Sequence, residues 1–105
     1  MNQFVRAVAN ELGPYGITVN AVEPGMIEVE KLPSEIPGYS RDHWGPTIPL
    51  RRVGMPHDVA GVVLFLATED AAYVTGAAIR VDGGIMTRSP HYPPSPLTTY
   101  RSPYE

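Results

Sequence analysis

The sequence predicts an α/β fold in which two parallel strands are joined by a crossover that contains a helix. Three segments predict it: a strand at Ile17 to Val22, a helix at Pro56 to Thr68 and a strand at Ala77 to Asp82. Such a βαβ unit has parallel strands and a right-handed crossover. Parallel sheets are normally wider than two strands and covered on both faces. We therefore expect only part of a larger α/β sheet, preceded by one further helix.

That first helix is predicted over Asn2 to Leu12, where apolar side chains recur at three- and four-residue spacing. Gly13-Pro14 should end it, with Gly13 in the position just past the last turn. No capping residue stands before the periodic pattern, which begins directly at Met1. A helix that starts in mid-turn leads us to expect further sequence upstream.

The two strands differ in their patterns. Ile17 to Val22 is rich in β-branched residues, which is typical of a buried strand. In Ala77 to Asp82 apolar and charged residues alternate, as on a half-exposed sheet edge, and Gly83-Gly84 ends it in a turn. No helix is expected after Gly83-Gly84, so a phosphate loop is not expected there.

The crossover has an irregular part and a helical part. Met26 to Val53 is broken by four prolines, so only short helical turns are expected, and a segment this long is often a functional lid. In Pro56 to Thr68, Pro56 suits the first helical position and Asp58 faces the positive end of the helix dipole. The helix is apolar on nearly all sides, which predicts packing on more than one side.

Composition excludes several classes of function. The 105 residues are 43% hydrophobic and carry a net charge of −3 without a basic run, so neither nucleic-acid nor membrane-surface binding is expected. The absence of cysteine excludes disulfides, a thiol nucleophile and cysteine-based zinc sites, and suits a cytoplasmic protein. The longest apolar run, Val59 to Ala67, is too short to span a bilayer.

Four segments resemble one family, in order and at its spacing over residues 1–84. They are Glu11 to Gly25 (ELGPYGITVNAVEPG), Ile48 to Ala60 (IPLRRVGMPHDVA), Leu64-Phe65-Leu66-Ala67 with Tyr73-Val74-Thr75-Gly76, and Val81-Asp82-Gly83-Gly84. Each segment alone is a weak signal, whereas the four together are similar to the short-chain dehydrogenases/reductases. The resemblance implies an NAD(P)-dependent alcohol/ketone oxidoreductase with a seven-stranded Rossmann-like sheet.

The resemblance also implies what this chain lacks. It would supply only the last two strands of that sheet, as a C-terminal portion over residues 1–84, with a proline-rich extended or disordered tail over 85–105. The family's Gly-rich pyrophosphate loop has no counterpart, and no tyrosine is followed four residues later by lysine, the pair that transfers a proton in the family. By alignment that lysine would fall about three residues before Met1. We therefore assign no catalytic residue, and NAD or NADP is implied for the complete family member.

The resemblance places one turn against the cofactor. Pro24, Gly25, Met26 and Ile27 would contact the nicotinamide, with the backbone at Ile27 bonding the carboxamide. From the residues alone, the same segment is an ordinary tight turn leaving a strand. The family often carries threonine where Val29 stands, so a hydroxyl that could bond the cofactor is absent.

Other polar residues point to structure before chemistry. Asn20 is expected to satisfy nearby backbone groups. The acidic residues of the crossover should form a solvated face, and the histidines are too far apart for a metal site. An aromatic pair in the crossover would either line a substrate lid or simply pack. The acidic residues are Glu28, Glu30, Glu35 and Asp42, and the histidines are His43, His57 and His91. The aromatic pair is Tyr39 and Trp44.

Three functional hypotheses remain open. The chain is a C-terminal fragment of an oxidoreductase, inactive alone; or a non-catalytic partner of full-length relatives; or a small nucleotide-binding module. In the family, the elements at 2–12, 56–68 and 77–82 form subunit interfaces, which implies a homo-oligomer or full-length subunits as partners. The tail tyrosines, Tyr92, Tyr100 and Tyr104, would anchor an arm if the tail is not simply solvated. Because two strands leave much apolar surface open, we expect marginal stability and association.

Overall fold

The computed structural model describes residues 2–29 and 41–87. It confirms a partial α/β fold, in which two short strands pair in parallel. Single 3-10 turns are inserted between the regular elements. In chain order, the helices and strands are α1 (Asn2–Leu12), β1 (Ala21–Pro24), α2 (Arg41–Trp44), α3 (Pro56–Leu66) and β2 (Ala78–Val81), and the 3-10 turns are Gly13–Tyr15, Gly45–Thr47, Glu69–Ala71 and Ile85–Thr87.

The strands pair in register from Ala21 opposite Ala78 to Pro24 opposite Val81. The first strand was predicted at Ile17 to Val22 and lies instead at Ala21–Pro24. Residues before Ala21 are drawn into another arrangement: the Gly76 amide donates to the Val19 carbonyl at 2.8 Å, and the Val19 amide donates to the Thr75 hydroxyl at 3.0 Å. The first part of the β-branched segment therefore bonds the turn at Thr75 and Gly76, and the strand begins only at Ala21.

The end of α1 differs in detail from the prediction. The helix has the predicted bounds, but Gly13 does not take the left-handed position. Gly13 opens a 3-10 turn, in which Pro14 is tolerated because amides of a first turn need no partner within the helix. Gly16, with φ 74°, is the left-handed residue that ends the turn, and its amide donates to the Gly13 carbonyl at 2.9 Å.

The helix α3 is shorter and less buried than predicted. It ends at Leu66, because the Ala67 amide is shared between two carbonyls and the Thr68 amide bonds Phe65 only three residues back. The packing on more than one side predicted for this helix is not found among the described residues, since no residue of α3 is buried. Leu64 is 69% exposed. A sheet of two strands is too narrow to cover a helix that is apolar on nearly all sides.

The described residues form two compact units. Unit 1 holds residues 2–24 and 57–81, and its buried side chains are Val5, Ala9 and Ala71. Unit 2 holds residues 25–29, 41–56 and 82–87, and its buried side chains are Ile48 and Val53. None of the helices in this described part is long and apolar enough to cross a membrane.

The predicted tail begins with local order. Ile85–Thr87, the first three residues of the predicted tail, form a 3-10 turn. Residues 88–105, including the three tail tyrosines, lie outside the described residues, and an extended or disordered tail stays a prediction there.

Candidate cofactor-binding turn

The turn predicted to face the cofactor leaves β1 under tight steric control. Pro24 is the last residue of β1, and Gly25 follows with its α-carbon against Asp82. A Cβ placed on Gly25 would lie 2.6 Å from the Asp82 Cβ and 2.7 Å from its Cα. Real Cβ atoms do not come this close to a backbone, so only glycine fits at position 25.

Beyond Gly25, the turn is fastened to Gly54 by two backbone hydrogen bonds. The Gly54 amide donates to the Met26 carbonyl at 3.0 Å, and the Glu28 amide donates to the Gly54 carbonyl at 2.8 Å. Ile27 therefore sits opposite Gly54 in a parallel bridge. In this geometry the amide and carbonyl of Ile27 itself point away from Gly54.

Ile27 thus presents a donor and an acceptor from one residue. Neither its N–H nor its C=O has a hydrogen-bond partner within residues 2–29 and 41–87. A primary carboxamide, such as that of nicotinamide, carries one acceptor oxygen and a donor NH₂ group. The backbone of Ile27 is complementary to such a group, so the residues present fit the implied cofactor at this point.

The segment that holds the turn is supported from behind by Gly83. The Leu50 amide donates to the Gly83 carbonyl at 3.1 Å. Gly83 has φ 63°, and a Cβ there would lie 2.7 Å from Cγ2 of Ile48, which is 2% exposed. Glycine is required for both the backbone conformation and the close packing.

The Gly83-Gly84 turn is confirmed, with one correction. Both residues have positive φ, as a tight turn of this kind requires. A helix was not expected after it, yet Ile85–Thr87 form a 3-10 turn, and the Asp82 side chain bonds amides at the start of this segment. The carboxylate accepts the Gly84 amide through Oδ1 at 2.9 Å and the Met86 amide through Oδ2 at 3.2 Å.

Asp82 was not among the site residues predicted from the sequence. An aspartate directly before two glycines at the end of a strand is the available signal, because its carboxylate accepts amides two residues on and its neighbours tolerate positive φ. That signal identifies a turn, whereas the contact with Gly25 depends on the fold.

Asn20 behaves as predicted. Its Nδ2 donates to the Val74 carbonyl at 3.1 Å, and its Oδ1 accepts the Ala77 amide at 3.1 Å. The side chain therefore binds the backbone on both sides of the turn that precedes β2. One N–H of Nδ2 and the Oδ1 atom are thus both bonded to backbone groups.

The acidic residues of the crossover are not uniformly solvated, as had been expected. The side chain of Glu28 is only 17% exposed, and its Oε2 accepts Nε of Arg41 at 2.7 Å. The solvated-face prediction is therefore wrong for Glu28, whose partly buried carboxylate is paired with a charged partner. Asp42 is exposed as predicted, and Glu30 and Glu35 lie outside the described residues.

Of the histidines and the aromatic pair, only His57 and Trp44 have side chains that the structure describes. His57 is exposed, with Nε2 4.0 Å from Oδ1 of Asp58. His91, Tyr39 and the side chain of His43 lie outside what the structure describes. Within the described ranges, no group of three or more His, Cys, Asp or Glu side chains is arranged to hold a metal ion. Trp44 is half-buried at the end of α2, and its carbonyl accepts the Thr47 hydroxyl at 2.6 Å.

Comparison with known proteins bears on this architecture. The family model described as enoyl-(acyl carrier protein) reductase matches residues 1–86. The chain is 48% identical over 82 residues to a 3-oxoacyl-[acyl-carrier-protein] reductase of Pseudomonas aeruginosa, covering 78% of this chain and 33% of the relative. It is 41% identical to a cyclohexanol dehydrogenase of a Rhodococcus species, covering 79% of this chain and 31% of the relative.

Solved structures agree. An acetoin dehydrogenase from Enterobacter cloacae superposes with a TM-score of 0.73 at 34% identity, covering 89% of this chain and 35% of the other. The chain thus spans about a third of the length of the relatives it matches. The family match over residues 1–86, together with the identity to these relatives over most of the chain, shows that the chain belongs to the short-chain dehydrogenase/reductase family.

Proposed function

We propose that this chain supplies the nicotinamide-facing C-terminal part of an NAD(P)-dependent alcohol/ketone oxidoreductase and does not transfer hydride by itself. The observation that carries the proposal is the pair of backbone groups on Ile27, a donor and an acceptor directed away from Gly54. Its relatives are named as a reductase of 3-oxoacyl groups and a dehydrogenase of cyclohexanol, both oxidoreductases.

In this proposal the chain binds and orients, and the cofactor carries the chemistry. The nicotinamide, when bound, supplies or accepts the hydride. The Ile27 amide would donate to the carboxamide oxygen, and the Ile27 carbonyl would accept from its NH₂ group. Gly25 and Gly54 would hold the peptide on either side of Ile27 in place, so that the two bonds form without reorganisation.

The remaining requirements of hydride transfer have no counterpart in this sequence. A pyrophosphate needs a glycine-rich loop at a helix N-terminus, and a carbonyl that accepts hydride needs a proton donor with a suitable pKa. The sequence has neither the loop nor a tyrosine followed four residues later by lysine. A single turn anchors only one end of a dinucleotide, so we expect the chain alone to bind NAD or NADP weakly and to turn over no substrate.

A reconstitution experiment tests the proposal. The 105-residue chain is assayed with NADH and NADPH, alone and after co-expression with the N-terminal two thirds of the Pseudomonas aeruginosa relative. We expect no oxidation of either cofactor by the chain alone, and oxidation dependent on a 3-oxoacyl thioester by the reconstituted complex. Alcohol oxidation by the purified chain alone would contradict the proposal.

Two variants at Ile27 sharpen this test. Ile27→Pro removes the N–H that bonds no described residue, so the bridge to Gly54 should persist while NADH binding by the complex weakens about tenfold, the loss expected for one hydrogen bond. Ile27→Val keeps the backbone groups and serves as the control. If both variants bind NADH as the unchanged chain does, the backbone of Ile27 does not contact the nicotinamide.

A second function is favoured by the surface of α3. Val63, Leu64 and Phe65 are 51%, 69% and 45% exposed, an unusual concentration of apolar side chains on one helix. The chain would then be a non-catalytic partner of full-length family members, or associate with itself. Co-purification with the full-length Pseudomonas relative, with no change in that enzyme's turnover, would support this function. A stable monomer at high concentration would contradict it.

A further inference from the structure

We propose that Asp82 is a positioning residue, which holds the Pro24–Ile27 turn in the conformation that presents the Ile27 backbone to the cofactor. The part of this inference that concerns the cofactor rests on the function proposed above. The part that concerns the turn stands on contacts within unit 2.

The carboxylate of Asp82 has both oxygens occupied by backbone amides. Oδ1 accepts from Gly84 and Oδ2 from Met86, while the Asp82 carbonyl accepts the Ile85 amide at 3.2 Å. Bonds from amides to a charged acceptor are stronger than those between neutral groups. Without these bonds, two successive glycines with positive φ would have wide conformational freedom.

Asp82, which fixes the Gly83-Gly84 turn, also contacts the start of the Pro24–Ile27 turn, called the cofactor turn below. The backbone of Asp82 lies directly against Gly25, too close for any side chain at that position. Rotation about the Asp82 backbone that followed loss of its carboxylate bonds would therefore move atoms that are in contact with Gly25. The first residue of the cofactor turn after β1 is held by the same residue that caps the Gly83-Gly84 turn.

The same turn acts on the exit of the cofactor turn through the crossover segment. The Gly83 carbonyl accepts the Leu50 amide, and its α-carbon packs on Ile48. From Leu50 the chain runs four residues to Gly54, which bonds both Met26 and Glu28. The start of the Pro24–Ile27 turn contacts Asp82, and its end is bonded to Gly54, which is linked through the chain to Leu50 and from there to Gly83. These contacts form a closed ring, and Asp82 is the member of the ring whose carboxylate also bonds the Gly83-Gly84 turn.

Amide hydrogen exchange on the full chain tests the part that concerns the turn. In Asp82→Ala we expect exchange at Leu50, Gly54 and Glu28 to accelerate about tenfold, the effect of losing charge-assisted bonds that hold the ring. Asp82→Asn keeps an acceptor for Gly84 and should restore most of the protection. Exchange at Gly76, whose amide bonds Val19 in unit 1, should stay unchanged.

Asp70→Ala is the matched control, because Asp70 is an exposed aspartate in the first turn of another 3-10 helix. It should leave Leu50, Gly54 and Glu28 unaffected. Unchanged exchange at Gly54 and Glu28 in Asp82→Ala would overturn the proposal, and so would an equal acceleration at Gly76, which would indicate general unfolding.

A pair of ligands tests the part that concerns the cofactor. In the reconstituted complex, Asp82→Ala should weaken NADH binding about tenfold, the loss of roughly one oriented hydrogen bond, and leave ADP-ribose binding unchanged, because ADP-ribose lacks the nicotinamide. Equal weakening of both ligands would overturn the proposal, since a loss of folding affects them alike. If the unchanged complex binds neither ligand, the proposed function fails, and hydrogen exchange still decides whether Asp82 holds the turn.

Discussion

The two units of this chain hold their residues in different ways. Unit 1 carries the paired strands, α1 and most of α3, yet its apolar surface is largely open, with Leu64 at 69% and Phe4 at 70% exposure. The described part of unit 2 contains one four-residue helix and two 3-10 turns, and two of its apolar side chains, Ile48 and Val53, are 2% and 5% exposed. Its backbone is cross-linked by bonds through Gly54 and Gly83.

The difference shows that regular helices and strands do not by themselves ensure that a unit buries its apolar side chains. Helices and strands satisfy their own backbone, but they need a wide partner surface to bury their side chains. Several backbone groups of unit 2 are bonded through close approaches at glycines and through the Asp82 cap, which need no further layer of secondary structure. We therefore expect changes in unit 1 to act mainly on association and changes in unit 2 to act mainly on local conformation.

The largest expected effect is on association through unit 1. Leu64→Glu should weaken self-association, or binding to full-length relatives, by at least about a hundredfold, because a buried leucine contact is lost and a charge enters an apolar surface. Sedimentation across a concentration series measures it. Leu50→Glu, at a 55% exposed leucine of unit 2, is the control and should have little effect. A sharp, cooperative thermal transition in a dilute wild-type monomer would show that α3 needs no covering.

The next effect is on the packing of unit 2. Gly83→Ala should lower the free energy of unfolding by roughly 3 kcal/mol, through the left-handed backbone and a clash with buried Ile48. Gly16→Ala is the control, since it also has positive φ but no atom within 4 Å of its added Cβ, so roughly 1 kcal/mol is expected. Urea denaturation midpoints compare the two, and equal losses would mean that Ile48 yields without cost.

A smaller effect is expected at Asn20 of unit 1. Asn20→Ala removes the bonds to Val74 and Ala77 and should cost about 2 kcal/mol, at roughly 1 kcal/mol for each bond. Asn20→Asp keeps the acceptor for the Ala77 amide, so its free energy of unfolding should lie between those of the unchanged chain and Asn20→Ala. Urea denaturation gives the cost, and hydrogen exchange at Ala77 reports the bond directly. A neutral Asn20→Ala would mean that water replaces both bonds.

The smallest expected effect is a gain in stability. Gly61→Ala in α3 should raise the free energy of unfolding by about 0.5 to 1 kcal/mol, because alanine restricts the unfolded chain and its Cβ meets nothing within 4 Å. Thermal denaturation at low concentration measures it. Destabilisation that grows with protein concentration would instead show that a partner packs on this face at Gly61.

The sequence was informative where hydrophobic periodicity and local start or stop residues decide the structure. The bounds of α1 and the start of α3 follow from helical periodicity, the Gly-Pro pair and Pro56. Asn20 was correctly assigned to backbone bonding. The predicted start of the first strand was four residues too early. High β propensity does not distinguish residues that pair in a sheet from extended residues that bond a turn, and Val19 bonds Thr75 and Gly76 instead of a neighbouring strand.

The amino-acid sequence by itself determined α1, the start of α3, the parallel βαβ order and the family, since each depends on residue types at fixed separations along the chain. Only the tertiary structure decided that Gly25 lies against Asp82, that Ile27 presents a free donor and acceptor among the described residues, and that Glu28 pairs with Arg41. Those contacts join residues 13 to 57 positions apart. No local pattern specifies such pairs, because they depend on where the strands and the crossover place them.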